Sequence, residues 1–454
     1  MRIIVVGCGK IGRAIIERLV AEKHDVLAMD NDPSVVENIT NAYDVMGLCA
    51  SGTEYGQLLE AGAHKADLFI AVTGSDELNM LSCFAAKRMG SKHTVARIRN
   101  SENTTQDSLT FMTKGLGLSM PINPELLTAQ AIYNIIKLPS ASKVETFSGK
   151  DFEMIEFQLK ANTKLEGKTV SEIRKQFKIK FLICAVSRNG ESYIPKGDFA
   201  LSGGDKLGII ASEHDTTKLF KLLGEEQKPI KNVMILGGGR TSVYLASRLA
   251  KSRISTKIIE KSEERCEEVC ELLGNGVTVI HGDAMSQDLL REESIGTADA
   301  FVALTGMDEQ NILISVYAMN QNVPKVISKV NRSELSAIAQ KIGVDTVVTS
   351  KTVTADTLAR YARALQNASG SKVETLYSLM DGKAEAIEFT VMTDFKHIGT
   401  PLKDLKFKKN ALLAGIIRNN RPIIPTGDDM ILAEDRVIVI SSKLGMDDIS
   451  DMLE

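Results

Sequence analysis

Short apolar runs alternate with longer amphipathic stretches through residues 1–137. The runs IIVV, DVLAM, LFIAV and TVARI are separated by segments of helical periodicity at 12–22, 33–42 and 76–90. Short strands that alternate with helices are typical of βαβ units, whose strands form one parallel sheet. The pattern therefore predicts a doubly wound α/β domain of the Rossmann type in this part of the chain.

Residues 138–224 follow a different pattern. The stretch EMIEFQL is strand-like, a short helix is predicted near 169–177, FLICAVSRNGESYIP reads as a hairpin, and DKLGIIA is a further strand. Strands joined by turns and interrupted by one short helix predict a small α+β module.

The chain then repeats itself. With Gly7 placed on Gly237, VVGCGKIGRAIIERLVAEKHDVLAMD aligns without a gap on ILGGGRTSVYLASRLAKSRISTKIIE. Three further blocks match in the same order: ADLFIAVTGSDELNML with ADAFVALTGMDEQNIL, SKVET with SKVET, and YIPKGDFALSGGDKLGII with IIPTGDDMILAEDRVIVI. Matched blocks in one order indicate an internal duplication.

The duplication predicts four domains. Two Rossmann-like, doubly wound parallel-sheet domains are expected at 1–137 and 231–366, and each precedes a small α+β module, at 138–224 and 367–454. The polar stretch GEEQKPIK, residues 224–231, is the predicted linker between the halves.

Composition and charge narrow the class of protein. The 454 residues are 43% hydrophobic and 25% charged, with a formal net charge of −3. This is typical of globular proteins and does not favour a nucleic-acid partner. No apolar run is long enough to span a membrane, and the opening MRIIVVG is too short for a signal peptide. Six cysteines without a C-x-x-C pair predict reduced thiols, no metal centre and a cytoplasmic location.

Residues 7–12, GCGKIG, have the G-x-G-x-x-G spacing of a dinucleotide-binding turn between a predicted strand and a predicted helix. Gly7 permits the tight turn, Gly9 lets a pyrophosphate approach the backbone, and Gly12 lets the helix pack closely on the strand. The helix N-terminus offers free N–H groups and a positive dipole end to the phosphates. Lys10 is either a phosphate ligand or a solvated lysine.

Asp30 closes the second predicted strand, 18 residues after Gly12. A carboxylate at this place accepts hydrogen bonds from the adenosine ribose hydroxyls and repels a 2′-phosphate, which favours NAD or another adenine nucleotide over NADP. The alternative is that Asp30 only ends the strand and begins a turn.

The second copy of the turn is altered. It reads Gly237, Gly238, Gly239, Arg240, Thr241 and Ser242, and Glu260 keeps the acidic position. Ser242 replaces the third glycine and adds a Cβ atom and a hydroxyl where the helix packs on the strand. The second pocket is therefore predicted to bind more weakly than the first.

Later loops extend each pocket. Thr73-Gly74 and Thr305-Gly306 follow the fourth strand of each predicted sheet, at the edge where open α/β sheets bind ligands. The third strands end near Ser51-Gly52 and Gly282-Asp283, so a carboxylate contact to the adenosine side is expected only in the second copy, from Asp283.

Arg97 aligns with Lys329 at a strand end in both copies. A cation retained there is either a phosphate or ribose contact or a surface side chain.

The sequence contains little that indicates an enzyme. A dehydrogenase needs a substrate domain and usually an acid–base residue near the nicotinamide, but the histidines do not recur in the two copies and the modules are short. Hydrolase, zinc-protease and P-loop motifs are absent from the sequence. A repeated binding unit favours a sensor without catalytic residues, and an NAD-dependent oxidoreductase is the alternative.

The ordered motifs resemble one family across nearly the whole chain. A G-x-G-x-x-G domain that ends in VTGSDELN, followed by a module with IPKGDFALSGGD, twice over, resembles TrkA, the cytoplasmic nucleotide-binding regulatory subunits of Trk potassium uptake systems. The resemblance implies RCK (KTN) domains and TrkA-C modules. It implies four chains in a ring, peripheral on the cytoplasmic face of the membrane, beneath a TrkH- or TrkG-like potassium-translocating subunit. NAD(H), ATP or ADP would alter the ring and so gate transport.

The resemblance also assigns residues to the two pockets. The first set is Gly7, Cys8, Gly9, Lys10, Ile11, Gly12, Asp30, Asn31, Thr73, Gly74 and Arg97. The second set is Gly237, Gly238, Gly239, Arg240, Thr241, Glu260, Thr305 and Gly306, with Lys329 as a further candidate, and the comparison of the two copies adds Asp283.

Two further features rest on the same resemblance. In related ring proteins a glutamate after the last strand helps to sense a terminal phosphate, which implies that role for Glu125, whereas the second copy has Lys351 at this place. In some relatives the small modules bind a second ligand or mediate dimers, although IPKGD and IPTGD also suit a plain turn. A ring that gates something other than potassium, or a second-messenger sensor acting through these modules, is a weaker alternative.

Overall fold

A computed structural model shows two parallel and two antiparallel sheets. It describes residues 1–100, 108, 110–147, 153–177, 179–224, 229–344, 346–368, 373–380, 383–419, 421–442, 446 and 448–454. Half of the predicted linker, residues 225–228, and the start of the second SKVET lie outside the described residues. The boundaries proposed between the four domains stay predictions.

The first sheet has six parallel strands in the order β3-β2-β1-β4-β5-β6. These are β1 (Arg2–Val6), β2 (Asp25–Asp30), β3 (Met46–Cys49), β4 (Leu68–Ala71), β5 (His93–Arg97) and β6 (Met120–Ile122). The helices are α1 (Lys10–Ala21), α2 (Pro33–Ala42), α3 (Tyr55–Glu60), α4 (Asp76–Met89) and α5 (Pro124–Lys137). The strand order reverses between β1 and β4, and open sheets bind ligands at the carboxyl ends of the strands beside such a point.

The first small module is a five-stranded antiparallel sheet in the order β10-β9-β11-β8-β7. Its elements are β7 (Lys143–Thr146), β8 (Glu153–Gln158), β9 (Phe181–Arg188), β10 (Glu191–Tyr193) and β11 (Lys206–Ala211), with α6 (Val170–Gln176) and α7 (Glu213–Leu222). The predicted hairpin is confirmed, because β9 pairs with β10 in antiparallel register.

The second half repeats both sheets. Its parallel sheet has the order β14-β13-β12-β15-β16-β17. The strands are β12 (Asn232–Leu236), β13 (Ser255–Glu260), β14 (Thr278–His281), β15 (Ala300–Ala303), β16 (Lys325–Lys329) and β17 (Thr346–Val348). The helices are α8 (Arg240–Lys251), α9 (Glu263–Leu273), α10 (Gln287–Glu292), α11 (Asp308–Asn320), α12 (Ser333–Lys341) and α13 (Ser350–Ala368).

The second module has the antiparallel order β18-β19-β22-β20-β21. Its strands are β18 (Val373–Leu379), β19 (Ala384–Thr390), β20 (Ala411–Arg418), β21 (Arg421–Ile423) and β22 (Arg436–Ser441). The predicted fold class, two Rossmann-like parallel sheets each followed by a small antiparallel module, is confirmed.

The halves exchange helices. α5 follows the first sheet but packs on the second domain, where Ile132 and Ile136 join the core of Ile235 and Leu245. α13 makes the reverse exchange and brings Leu358 into the core of the first domain. The helices meet near their N-termini, where Thr128 Oγ1 donates to Ser350 Oγ at 3.0 Å. Each parallel sheet is therefore completed by a helix from the other half.

The two small modules also share a core. Leu182 and Cys184 of the first pack with Ile438 and Ile440 of the second. Since both inner sheet faces are apolar, burial of this surface holds the modules together.

Candidate functional site

Two glycines of the first turn are required by packing. Gly7 has φ +89°, a left-handed backbone conformation that favours glycine, and a Cβ atom there would lie 2.8 Å from the nitrogen of Thr73. A Cβ atom on Gly12 would lie 1.9 Å from the carbonyl oxygen of Gly7. The N–H of Gly7 donates to the Met29 carbonyl at 2.9 Å, which fixes the turn against β2.

Gly9 has no such packing role. Among the described residues, a Cβ atom built on it meets no atom within 4 Å, and its φ of −64° suits other residues. The same open space lies in front of Gly74 across the mouth of the sheet, and in front of Gly239 and Gly306 in the second copy. These glycines leave room outside the protein, where a ligand can approach the backbone.

The N-terminus of α1 is open to an anion. Gly9 is its N-cap, no side chain caps the helix, and the first turn carries no acidic residue. The first N–H groups of a helix lack partners within it, and the helix dipole places partial positive charge there. The arrangement fits a phosphate group. Lys10, in that first turn, is exposed, while Ile11 packs on the domain core.

Asp30 lies at the carboxyl end of β2 and is held by backbone donors. Its Oδ2 accepts from the N–H of Cys8 at 2.7 Å, and its Oδ1 accepts from the N–H of Asp32 at 3.1 Å. The carboxylate thus braces the turn and begins the loop at Asn31. Each oxygen keeps further acceptor capacity, which a ribose hydroxyl could use.

Cys8 contributes only its backbone to this turn. The thiol is buried with Sγ 3.6 Å from the Met29 carbonyl. Burial, reinforced by the negative charge of Asp30, raises the pKa of the Cys8 thiol to about 12. The protonated thiol is a poor nucleophile at neutral pH.

The loop after β4 is organised by an asparagine. Asn79 Oδ1 accepts from the Thr73 N–H at 2.8 Å and from its hydroxyl at 2.7 Å, and Asn79 Nδ2 donates to the Arg97 carbonyl at 2.9 Å. The Arg99 guanidinium donates to the Gly74 carbonyl. Thr73, Gly74 and the end of β5 are therefore locked into one rim, facing the glycine turn.

Arg97 is not a surface cation. Its Nη2 pairs with Glu125 Oε1 at 3.4 Å, and the two side chains are 15% and 23% exposed. Burial lowers the pKa of Arg97, while Glu125 acts in the opposite direction. Within the described part of the chain, Arg97 Nε and Glu125 Oε2 are buried without hydrogen-bond partners. Arg97 on β5 and Glu125 on α5 therefore each have a polar atom beside the pocket with which a ligand could form a hydrogen bond.

The second pocket reproduces the scaffold. Gly237 has φ +90°, and Glu260 accepts from the N–H groups of Gly238 at 2.6 Å and Ser262 at 2.8 Å. Asn311 holds the Thr305 N–H at 2.9 Å, as Asn79 holds Thr73. Gly306 follows Thr305 on the same rim, Gly239 is the N-cap of α8 without a side-chain cap, and Arg240 opens the helix with Thr241 after it.

Ser242 occupies the place of Gly12. Its side chain is fully buried, and its hydroxyl has no hydrogen-bond partner among the described residues. An unsatisfied buried hydroxyl costs free energy. The replacement of the third glycine by Ser242 is thus locally unfavourable in the second copy, at the point where α8 approaches its strand.

Two lysines beside the second pocket, Lys261 and Lys329, make hydrogen bonds within the protein. Asp283 accepts from Lys261 Nζ at 2.9 Å, and this hydrogen bond lowers the pKa of the Asp283 carboxyl. Burial lowers the pKa of Lys329, whose Nζ donates to the Leu304 carbonyl at 3.3 Å. Lys329, like Arg97, is therefore not a surface cation.

Sequence reasoning missed three residues at these sites. Asn79 and Asn311 recur within the matched DELN and DEQN segments, so the repeat contained the signal. No such signal indicated Arg265, because the ungapped alignment places it over Val35. Its Nε donates to the Gly238 carbonyl at 2.7 Å, which adds a cation to the second turn alone.

Comparison with known proteins agrees with this architecture. The TrkA-N domain family matches residues 3–123 and 233–350, and the TrkA-C domain family matches residues 154–224 and 386–454. The chain belongs to the TrkA family. The Trk system potassium uptake protein TrkA homolog of Archaeoglobus fulgidus is 35% identical over 442 residues, 97% of each chain. The Trk system potassium uptake protein TrkA of Vibrio alginolyticus is 29% identical over 444 residues, covering 97% of this chain and 93% of that protein.

Solved structures share the fold. The crystal structure of the GsuK RCK domain has a TM-score of 0.62 at 17% identity, covering 97% of this chain and 92% of that chain. The GsuK channel bound to NAD has a TM-score of 0.61 at 17% identity, covering 97% and 76%. Among the described residues of the TrkA-family chain, no helix combines the length and apolarity needed to cross a bilayer.

Proposed function

We propose that this chain is a nucleotide-sensing regulatory subunit of a potassium uptake system. The first pocket binds NAD(H), ATP or ADP through the turn at 7–12, Asp30, the rim at Thr73-Gly74 and the pair Arg97–Glu125. The second pocket uses the turn at 237–241, Glu260, Asp283 and the rim at Thr305-Gly306. Binding changes the relation between domains and so gates a separate potassium-translocating subunit of TrkH or TrkG type.

One observation carries the nucleotide assignment. Gly7 and Gly12 are glycines because the protein leaves no room for a side chain, whereas Gly9 is a glycine beside open space and an uncapped helix N-terminus. That combination suits close approach of a phosphate to backbone N–H groups. A structure of the GsuK channel bound to NAD and one of GsuK bound to ADP share the fold, which is consistent with either ligand.

The open space at Gly9 makes a clean test possible. Gly9→Val places its Cβ atom where no described atom lies within 4 Å, so we expect the protein to fold normally while the phosphate path is blocked. Calorimetric titration with NADH and ADP should show at least tenfold weaker binding at the first pocket. Gly56→Val, at another glycine with open space around it, is the matched control.

Asp30→Ala tests the Asp30 carboxylate in the same titrations, both as a ribose acceptor and as the brace that holds the Cys8 and Asp32 N–H groups. Loss of hydrogen bonds to a charged acceptor is worth about 2 kcal/mol, or roughly thirtyfold in affinity. Unchanged nucleotide binding in both Gly9→Val and Asp30→Ala would refute the pocket. Steady, substrate-dependent consumption of NADH would instead favour an oxidoreductase.

We further propose that four chains assemble into a ring, peripheral on the cytoplasmic face of the membrane. Leu81 of α4 and Leu313 of α11 occupy equivalent positions in the two halves and are 51% and 62% exposed. Exposed leucines at matching places on both domains suit contacts between chains. Light scattering should give a tetramer that the double variant Leu81→Lys, Leu313→Lys disrupts. An unchanged mass would exclude these contacts.

Gating is tested by flux. The chain is reconstituted in vesicles with the potassium transporter subunit of the same genome, and potassium uptake is measured with ATP, ADP, NAD and NADH. A nucleotide-dependent change in uptake that is lost in Gly9→Val is expected. Uptake that ignores both the chain and the nucleotides would overturn the proposed function.

A further inference from the structure

Tyr244 of the second domain contacts the first. It lies on α8, one turn after the cap at Gly239 that faces the second pocket. Its hydroxyl accepts from Asn123 Nδ2 at 3.2 Å and lies 3.5 Å from the carbonyl oxygen of Arg99, to which it donates. These partners are 121 and 145 residues away in sequence and belong to the first half.

The first of these partners supports the Arg97–Glu125 pair. Asn123 is the N-cap of α5, and its Oδ1 accepts from the Leu126 N–H at 2.9 Å. Glu125 lies in the turn that Asn123 caps, and it pairs with Arg97 at 3.4 Å. A shift of Asn123 therefore moves the start of the helix that presents Glu125.

The second partner belongs to the rim of the first pocket. The N–H of Arg99 donates to Asp76 Oδ2 at 2.7 Å, and its guanidinium donates to the carbonyl of Gly74. Asp76 opens α4. The Tyr244 hydroxyl thus connects α8, at the second pocket, with the N-terminus of α5 and with the rim after β5, which both shape the first pocket.

The reverse connection is absent in the described structure. The residue of α1 equivalent to Tyr244 is Ala14, which has no polar side chain. α1 instead meets α13 farther along, where Glu22 accepts from Arg363 Nε at 2.8 Å, away from the glycine turn. The tyrosine contact is specific to the second copy.

We propose that Tyr244 is a positioning residue that couples the two nucleotide pockets, so that a ligand at the N-terminus of α8 changes the affinity of the first pocket. The inference rests on the proposed function, since it requires nucleotide in both pockets. A phosphate that binds the N–H groups in the first turn of α8 shifts the helix and moves Tyr244 with it, because a helix is stiff over one turn. By linkage, a ligand in the first pocket changes the affinity of the second by the same factor.

The test is a coupling factor. Calorimetry measures the overall association constant for filling both pockets of the wild-type chain with ADP. Dividing it by the product of the two single-pocket association constants gives the coupling factor. Gly239→Val, whose Cβ atom has no described atom within 4 Å, should leave only the first pocket. Gly9→Val leaves only the second. Independent pockets give a factor of 1, and we expect a factor that differs from 1 by threefold or more.

The variant Tyr244→Phe removes only the hydroxyl. In its background the factor should fall to within 1.5-fold of 1. Tyr133→Phe is the matched control, because the Tyr133 hydroxyl makes a 2.6 Å hydrogen bond with Ser252 Oγ between the same two helices, at the end of α8 far from the pockets. It should keep the wild-type factor, and melting temperatures should confirm that each variant is folded.

The outcomes separate the two proposals. A wild-type factor of 1, an unchanged factor in Tyr244→Phe, or an equal loss in Tyr133→Phe would overturn the coupling while leaving nucleotide binding intact. Absence of binding in Gly9→Val would also overturn it, because the second pocket would then be empty. Absence of binding in the wild-type chain would remove the proposed function itself.

Discussion

The two halves share a scaffold but differ at the third glycine position of the turn. Gly12 leaves no space for a Cβ atom beside the Gly7 carbonyl, whereas Ser242 is accommodated and fully buried, with a hydroxyl that has no partner in the part of the chain that the structure describes. The acid at the end of the second strand and the asparagine on the rim are kept in both. The comparison teaches that the same strand order accommodates a serine at this position, and that the cost is a buried hydroxyl without a partner among the described residues.

The halves also differ where α1 and α8, the helices that follow the two glycine turns, meet the exchanged helices α13 and α5. Arg18 of α1 and its C-cap residue Glu22 form a buried charge cluster with Arg363 of α13 and Glu385 of the second module. On the other side, Arg248 of α8 lies over the Tyr133 ring at 5.7 Å. One half is joined by charges and the other by a ring and a hydroxyl.

The largest expected effect comes from breaking the charge cluster. Arg363→Met leaves Glu22 and Glu385 without one guanidinium in a buried site, which should cost about 4 kcal/mol of unfolding free energy. Lys137, at the equivalent place on α5, is exposed, so Lys137→Met should change stability by less than about 0.5 kcal/mol. Urea unfolding measures both, and equal effects would show that the halves are joined alike.

The next effect concerns the third glycine. Gly12→Ser places the residue of the second copy into the first, with a Cβ atom 1.9 Å from a backbone oxygen. Because backbone must move, we expect a loss of about 3 kcal/mol of stability and weaker nucleotide binding at the first pocket. Thermal unfolding and NADH titration are the measurements. A variant as stable as the wild type would show that the first turn accommodates a serine side chain without cost, as the second turn accommodates Ser242.

His24 adds a pH dependence to one half only, since the aligned residue is Ile254. His24 is buried, with Nε2 3.8 Å from Glu22 Oε2, near Arg363 and the N-terminus. Burial lowers its pKa to about 4, with smaller contributions from those two positive charges. The unfolded chain therefore binds the extra proton first, and stability is lost as pH falls from about 6.5 towards 4.

Between pH 7 and pH 5 this loss should be about 2 kcal/mol. His24→Ile, which installs the residue of the second half, should flatten the dependence of urea midpoints on pH over this interval. A parallel dependence in the variant would mean that other groups are responsible.

The smallest effect is the reverse exchange. Ser242→Gly removes an unsatisfied buried hydroxyl but puts a glycine into a helix, and the two changes nearly cancel at about 1 kcal/mol each. Stability should change little, while closer approach of the α8 N-terminus should tighten ADP binding at the second pocket about threefold. Calorimetry on Gly9→Val, Ser242→Gly protein measures this, and weaker binding would contradict it.

Much of the scaffold could be predicted from the chain because it is local. Gly7, Gly9 and Gly12 lie within one turn, and Asp30 closes a strand with a clear apolar pattern. Periodicity also indicated four helices of the first half, α1, α2, α4 and α6, within two residues of their observed ends, but it did not indicate α3, α5 or α7. The partner of Arg97 was not predictable from spacing, because Glu125 reaches it from a helix that follows a different strand.

The sequence by itself determined the duplication, the two parallel sheets and the residues of the glycine turns. These features depend on neighbouring positions and on a repeat that is visible in the amino-acid sequence. Only the tertiary structure decided that α5 and α13 exchange halves. An apolar helix face shows that a helix will be buried but not against which sheet. The same exchange brings Tyr244 to Asn123, so the contact between the pockets belongs to the assembled fold.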